Sequence, residues 1–385
     1  MNNEVIIIGG NHHNGLGLAR ILGINGIIVH SIVIDKNKNK NSFISKSKYV
    51  DSCYVFSDDD EAIDFVLQTY KEKLKYIIIP YSDGAAYAID KRLNEFIGKY
   101  YVPSMFNKQG LIAKMMHKDE QYRFAKKNNI KMAETRIVEF NNISENIYDV
   151  FKDATIVKPL ISSEGDKKDI RICKNSNELR TALMGFVSKG YKRALVQEYI
   201  NIDYEIDVFG CILKQKPYIC QIPTRTIRSW PKKGGTNSFS QIITDKIIIE
   251  KCREIIQKLS NSGFYGLYDI ELFVVNGDLI LNEINYRNSG DVYMGIKQGY
   301  YYPFAWVMDC LDKPVNILPN PKKSSYAITE CADVRHVIKR ELNIFSWLKD
   351  LLRSDDYALF LFSDIKPTIY RYGYYLKQMI LRRSL

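Results

Sequence analysis

Residues 267–287, LYDIELFVVNGDLILNEINYR, contain the pattern that decides the fold. Two apolar runs flank Asn276-Gly277, and an Asn-Gly pair between such runs is a strong signal for a tight β-hairpin. Glu271 lies in the first run and Glu283 in the second, although a buried carboxylate is costly without a compensating cation or proton. The stretch therefore predicts a hairpin whose carboxylates serve a binding site.

Four polar side chains of this hairpin are expected to converge. Residues two apart in a strand point to the same face, so Glu283, Asn285 and Arg287 project together. Counting outward from the turn places Glu271 roughly opposite Glu283. Two carboxylates and an amide oxygen suit Mg²⁺ that also binds phosphates, and Arg287 adds a cation for a phosphoryl group. We predict a metal site of Glu271, Glu283 and Asn285; the alternative is an exposed, charged strand face.

Upstream of the hairpin, apolar strands alternate with helical segments. Residues 4–8, 27–34 and 76–79 are typical of buried strands, and this alternation predicts a parallel sheet with crossover helices. Residues 9–17, GGNHHNGLG, lie where a dinucleotide fingerprint would lie but lack G-x-G-x-x-G spacing. We interpret this part as a doubly wound α/β unit whose first loop helps to bind substrate.

Two segments between these regions carry polar residues suited to a nucleotide. Lys158 ends a strand before the small-residue loop at 160–166, so it can reach nucleotide phosphates. In residues 196–200, VQEYI, Glu198 can accept a hydrogen bond from an adenine amino group, and the backbone that follows can pair with the edge of the ring. Further along the chain, Glu205 can accept hydrogen bonds from ribose hydroxyls. A plain strand end and an exposed hairpin are the alternatives.

A basic segment follows. Arg225, Arg228, Lys232 and Lys233 precede Gly234-Gly235, and a basic loop containing glycine is suited to hold an anionic intermediate. Its order does not match a Walker A loop, which needs its lysine after the second glycine. The residues predicted to contact substrate are Asp83, Arg225, Arg228, Gly235 and Ser289.

Composition narrows the class of protein. Lysine and arginine total 55 against 44 acidic residues among 385, a formal net charge of +11, which suits an anionic partner or is simply a solvated basic surface. Seven scattered cysteines, none in a C-x-x-C pair, favour reduced thiols in the cytoplasm, and the five histidines lack H-E-x-x-H spacing. We predict neither a signal peptide nor a transmembrane segment.

In combination and order, these segments resemble the ATP-grasp superfamily, and within it the carboxylate–amine ligases of the D-aspartate ligase type. Trp230-Pro231 with the basic segment, and Asp364-Ile-Lys-Pro367, support this. The resemblance implies a doubly wound preATP-grasp domain at 1–110 and a two-lobed ATP-grasp domain at 111–312. It places the central nucleotide lobe at about 135–202 and leaves a mostly helical appendage at 313–385.

The resemblance also implies roles for individual residues. Lys118 and Lys158 would contact ATP phosphates, with Lys158 and Arg287 catalytic. The cofactor-binding residues would be Lys118, Lys158, Glu198, Tyr199, Ile200 and Glu205, and the Mg²⁺ (or Mn²⁺) ligands would be Glu271, Glu283 and Asn285.

The resemblance therefore implies an ATP-dependent, ADP-forming ligase that joins a carboxylate to an amine through an acyl phosphate. The carboxylate is expected on an amino acid, a peptide or a cell-surface precursor, in a cytoplasmic protein that does not bind nucleic acid. The sequence leaves two partners undecided: a second copy of the chain in a homodimer, and a membrane surface contacted by the basic aromatic tail. The alternatives are a nucleotide-dependent oxidoreductase using the N-terminal domain and a non-catalytic nucleotide-binding module.

Overall fold

The structure is a computed structural model, and it describes residues 4–36, 41–71, 76–142, 147, 154–160, 169–232 and 235–383, with the backbone alone at 376 and 378–383. The chain forms two compact units. The first comprises Met1–Ile112, Asp207–Asp269 and Asn285–Leu385, and the second comprises Ala113–Ile206 and Ile270–Ile284. This division differs from the three consecutive domains expected from sequence.

The strands are β1 Glu4–Gly10, β2 Ile28–Ile34, β3 Ser52–Phe56, β4 Tyr76–Pro80, β5 Tyr100–Tyr101, β6 Ser104–Met105, β7 Thr135–Glu139, β8 Thr155–Lys158, β9 Arg171–Cys173, β10 Arg193–Glu198, β11 Tyr204–Ile212, β12 Ile219–Trp230, β13 Thr236–Ile242, β14 Phe264–Val275, β15 Asp278–Asn285, β16 Tyr326–Ile328 and β17 Asp356–Tyr357. The α-helices are α1 His13–Ile24, α2 Asp59–Thr69, α3 Asp83–Lys91, α4 Leu93–Phe96, α5 Leu111–Met115, α6 Lys118–Lys127, α7 Ser176–Ser188, α8 Lys246–Asn261, α9 Tyr302–Cys310, α10 Glu330–Ile338, α11 Ile344–Arg353 and α12 Lys366–Arg383. None of the described helices is both long enough and apolar enough to cross a membrane.

The first unit begins with a parallel sheet in the order β3-β2-β1-β4-β5. Successive side chains of β1 enter different cores: Val5 and Ile7 lie in one buried cluster, and Ile6 and Ile8 lie in the other. A strand covered on both faces has to be apolar throughout, as these residues are. The predicted α/β class and the doubly wound N-terminal sheet are confirmed.

The glycines of the first loop are explained by close packing. A Cβ atom on Gly9 would lie 2.6 Å from the ring of Tyr81, and one on Gly15 would lie 2.7 Å from the same ring. Such distances are far below ordinary carbon–carbon contact, so a side chain at either position would displace the buried tyrosine. The glycines therefore have a structural reason that requires no bound dinucleotide.

The first unit also contains a sheet in the order β14-β11-β12-β13-β16-β17, with β6 on β14. Its last two strands come from the C-terminal tail, which was expected to be mostly helical. Asp364 further ties the tail to the N-terminal part of this unit. Its carboxylate binds buried Arg20 at 2.9 Å and accepts hydrogen bonds from Ser47 Oγ at 2.7 Å and Lys48 N at 3.0 Å. These contacts explain why the tail belongs to the first unit.

Helix α12 carries the aromatic and basic residues of the tail. The guanidinium of Arg371 lies 4.7 Å from the ring centre of Phe43, and Lys46 lies 5.3 Å from that of Tyr370. The tail helix is therefore packed on its own unit along this part. The side chains of Arg382 and Arg383 lie outside the described residues.

The second unit contains an antiparallel sheet in the order β7-β10-β8-β9. Helix α7 covers it through a core that includes Val157, Leu183, Phe186 and Val196. The unit also contains the tip of the β14–β15 hairpin. Asn276 and Gly277 both have positive φ values, 50° and 80°, as the two-residue hairpin turn requires. The hairpin predicted from sequence is confirmed.

Candidate functional site

Lys158 ends β8 as a buried cation in the second unit. Burial, followed by the charge of Lys118, lowers the pKa of Lys158 to about 8, whereas Glu283 and Glu271 act in the opposite direction. Lys118, Glu283 and Glu271, which come from separate parts of the sequence, therefore all lie near enough to act on the charge of Lys158. The structure brings together four of the residues that the sequence analysis selected.

Lys118 is the first residue of α6, and its Nζ lies 3.9 Å from Glu283 Oε2. One turn later, Gln121 holds the neighbouring backbone of β15. Its Nε2 donates to the carbonyl of Ile284 at 2.8 Å, and the N–H of Ile284 donates to its Oε1 at 2.8 Å. Because Gln121 is buried and both bonds are made beside Glu283, this amide fixes the glutamate relative to Lys118. The sequence analysis missed Gln121.

Glu271 accepts a hydrogen bond from Asn282 Nδ2 at 3.0 Å. Counting from the two-residue turn also pairs Glu271 with Asn282, one residue before the Glu283 that the sequence analysis placed opposite it. The expected register is corrected by one residue. Both carboxylates nonetheless act on Lys158, so the correction leaves them in one neighbourhood.

The carboxylates of Glu271 and Glu283 suit a hard cation whose remaining ligands are water and phosphate oxygens. Among the described residues, no three His, Cys, Asp or Glu side chains form a cluster that could hold a metal. Mg²⁺ in nucleotide sites usually keeps water and phosphate oxygens and takes one or two protein carboxylates. Glu271 and Glu283 meet that requirement.

Asn285 belongs to the first unit, and its assignment as a metal ligand stays a prediction. Within the described part of the chain, its buried Nδ2 has no hydrogen-bond partner. Turning the amide over would put Oδ1, a ligand atom for a hard cation, at this position. The side chain thus has an unmet bonding requirement that a ligand would satisfy.

The predicted adenine segment lies at the far end of β10 from Lys158. Lys158 pairs with Leu195 and Thr155 pairs with Glu198, so about 10 Å of strand separates the two ends. The N–H of Glu198 donates to Glu134 O, and that of Tyr199 donates to Ala154 O, both at 2.9 Å. Both backbone donors are occupied within the unit, which leaves Ile200 as our candidate donor to the ring edge. Glu205 is exposed at the start of β11.

Arg287 lies in the first unit, just after β15. It forms ion pairs with Asp269 and, at 3.2 Å, with Asp83. Burial raises the pKa of Asp269, while the charge of Arg287 opposes that shift. Ser289 lies two residues further on, and its Oγ accepts from the N–H of Asp291 at 3.1 Å. The structure thus pairs Asp83 with Arg287. The hydroxyl of Ser289, two residues after Arg287, is bound by the backbone of Asp291.

The basic segment is a strand rather than a loop where its arginines lie. Arg225 and Arg228 belong to β12, with Arg225 exposed, while Lys233 and Gly234 lie outside the described residues. All three guanidinium nitrogens of Arg228 contact carboxylates of Asp333 or Asp350. A Cβ atom on Gly235 would lie 2.1 Å from the carbonyl oxygen of Pro231. Arg228 is therefore bound by carboxylates of its own unit, and Gly235 is required by close packing, so both residues have structural roles.

A second polar group in the first unit was also missed. Asn237 donates to Asp291 Oδ2 at 3.0 Å and to Asp207, and its Oδ1 accepts from Thr226 at 2.8 Å. Burial raises the pKa of Asp291 to about 7, against the hydrogen bond from Asn237. No short motif marks these residues, because they come from three separate parts of the chain.

Comparison with known proteins gives the same family as the motifs. Residues 123–297 match the family model of the ATP-grasp domain. One curated relative is a formate-dependent phosphoribosylglycinamide formyltransferase of Methanococcus vannielii, 27% identical over 189 residues, or 45% of either chain. The chain spans about half the length of the curated relatives it matches.

Solved structures extend the likeness over most of the chain. Carboxyaminoimidazole ribonucleotide synthase of Aspergillus clavatus, complexed with ATP, has a TM-score of 0.66 and 15% identity, covering 89% of this chain and 86% of that one. The biotin carboxylase domain of Hydrogenobacter thermophilus 2-oxoglutarate carboxylase, with MgADP and bicarbonate, has a TM-score of 0.61 and 16% identity, covering 83% and 73%. At these identities the structures show a shared fold.

Proposed function

We propose that this chain, which carries an ATP-grasp domain over residues 123–297, is an ATP-dependent ligase that joins a carboxylate to an amine. The observation that carries the proposal is the group formed by Lys118, Lys158, Glu271 and Glu283 in the second unit. Two cations and two carboxylates suit a nucleoside triphosphate bound with Mg²⁺, because the lysines can pair with the phosphates and the carboxylates with the metal ion.

In the first step, an oxygen of the substrate carboxylate attacks the γ-phosphorus of ATP. The bond to the β-phosphate oxygen breaks, which yields an acyl phosphate and ADP. Lys158 and Lys118 offset the negative charge of the phosphates. Glu271 and Glu283 would hold Mg²⁺, which neutralises phosphate charge when bound.

In the second step, the amine nitrogen attacks the acyl carbon, and the bond to the phosphate oxygen breaks. The products are an amide and inorganic phosphate, and the amine loses one proton. Arg287 is our candidate for the cation that steadies the acyl phosphate, since its guanidinium is already oriented by Asp269 and Asp83. The protein supplies position and charge, so no side-chain nucleophile is needed.

The substrate class is the finer part of the proposal. The matching relative is named for formate, and the biotin carboxylase structure contains bicarbonate, so both act on or hold a small carboxylate-type anion. For this chain we propose a carboxylate on an amino acid, a peptide or a cell-surface precursor, because its motifs resemble those of carboxylate–amine ligases of the D-aspartate ligase type. The oxidoreductase alternative is not favoured, because close packing on Tyr81 already explains Gly9 and Gly15.

The test is ADP release across a matrix of carboxylates and amines, with products identified by mass spectrometry. The informative variant is Glu283→Gln, which keeps the side chain's shape and removes its charge. We expect turnover to fall by about 100-fold or more, as for other groups that stabilise transition-state charge.

The matched control is Asp278→Asn, the same kind of change in the same hairpin, at a carboxylate that pairs with Lys131 at 2.6 Å on the surface. Its turnover should stay close to wild type. If Glu283→Gln turned over at the wild-type rate, the assignment of Glu283 as a ligand of Mg²⁺ would be wrong. ATP binding without ADP release under any substrate pair would instead favour the non-catalytic module.

A further inference from the structure

Helix α11, Ile344–Arg353, is attached to the first unit along the face that carries Asp350. Asp350 is buried and binds Arg228 at 2.6 Å and Arg353 at 3.0 Å. Trp347 and Leu351 are half-buried on the same side, three residues before it and one after. The helix is therefore held by a charged anchor together with two apolar side chains.

The outward face is strongly apolar although it lies in solvent. Phe345, Leu348, Lys349 and Leu352 follow the i, i+3, i+4, i+7 spacing of a single helix face, and all four are exposed. Phe345 is 76% exposed and Leu352 is 82% exposed. A surface helix normally buries such a stripe, so an apolar stripe that is left in solvent marks a contact surface.

Exposed cations lie on this apolar face and in the residues just before the helix. Lys339 and Arg340 are exposed just before the helix, and Lys349 lies within the face itself. Glu341 is the acidic residue exposed in the same stretch, and it is bound by His336 at 2.8 Å. Among the described residues 338–349, exposed positive charge therefore exceeds exposed negative charge beside large apolar side chains.

We propose that the outward face of α11 docks on an anionic lipid bilayer. Apolar side chains at helical spacing with lysine and arginine at the margin have the chemistry of helices that lie in a membrane interface. The long apolar stem of Lys349 can lie along the acyl boundary while its ammonium group reaches the headgroups. A symmetric contact between two copies is disfavoured, because Lys349 in the middle of the face would approach its own counterpart.

The experiment is vesicle flotation of the full chain at fixed ionic strength. One set of vesicles is phosphatidylcholine alone, and the other contains phosphatidylcholine and phosphatidylglycerol at about 7:3, which tests the electrostatic part of the attraction. The variant Phe345→Ser/Leu352→Ser removes the two most exposed apolar side chains of this face. Its control is Ile247→Ser, which removes a 69% exposed isoleucine from α8 of the same unit.

We expect binding to the anionic vesicles, weaker binding to phosphatidylcholine alone, and a loss of about tenfold or more in the double variant, given the size of the apolar groups removed. The control should bind like wild type, and ADP release in solution should be the same for all three proteins. Absence of binding to anionic vesicles, or equal binding by the double variant, would overturn the proposal. So would a concentration-dependent dimer, seen by light scattering, that the double variant abolishes.

Discussion

The buried charge network of Arg228 allows a prediction that separates a structural role from the substrate role first assigned to it. Arg228 binds Asp333 at 2.7 Å and Asp350 at 2.6 Å, and the Asp333 side chain is 0% exposed. Burial opposes the charge on Arg228, but its hydrogen bonds to the two carboxylates outweigh burial and raise its pKa. Replacing Arg228 by methionine would leave a buried carboxylate without its cation.

The expected loss for such a change is about 3–5 kcal/mol of unfolding free energy. The matched control is Arg92→Met, since Arg92 also binds two carboxylates, Asp64 and Glu95, but at the surface. Surface pairs of this kind contribute at most about 1 kcal/mol. The two variants should therefore differ by several-fold in their effect on stability.

The assay is denaturant unfolding followed by circular dichroism, with melting temperature as a second measure. A double variant, Arg228→Met with Asp333→Asn, should regain part of the loss because the unpaired charge is gone. Equal stability of Arg228→Met and Arg92→Met would refute the reasoning. An unchanged stability together with a raised KM for one substrate would return Arg228 to the substrate site.

Two further predictions concern the second unit. Lys158→Met should weaken ATP binding by at least about tenfold, and wild-type affinity should fall between pH 7.5 and 9.5, because the free protein loses the Lys158 cation as pH rises through its pKa of about 8. Lys158→Arg should not show that fall in affinity, since arginine stays charged. Titration calorimetry with ATP at each pH measures these affinities. Gln121→Leu should lower kcat about 10- to 100-fold with little change in the KM for ATP, because Glu283 loses its support. The exposed Gln257→Leu is its control, and equal kcat values would argue against a positioning role.

The hairpin and the end of β8 were predictable because their signals are local. Asn276-Gly277 fixes a turn whatever the rest of the chain does, and β8 ends at Lys158 as the following proline indicates. The register of Glu271 was off by one residue, although regular pairing outward from the turn already gives Asn282 as its partner. The small strands β16 and β17 were missed because two or three residues carry no visible periodicity.

Residues whose roles depend on distant partners were beyond such reasoning. Gln121 acts through the backbone of Ile284, 163 positions away, and a buried glutamine gives no sign of its acceptor. Arg228 resembled part of an anion-binding loop because its carboxylate partners lie 105 and 122 positions further along the chain. The type and spacing of residues indicate what a side chain can bind, whereas the tertiary structure determines which partner it binds.

The second unit is assembled from two stretches of chain, with Asp207–Asp269 of the first unit between them. On a translating ribosome, the lysines at 118 and 158 are therefore made long before the glutamates that accompany them. A nascent chain arrested ahead of residue 271 would carry both of these cations with neither acidic counterpart. Contacts this far apart in sequence also slow folding, so we expect this unit to mature only after the hairpin emerges.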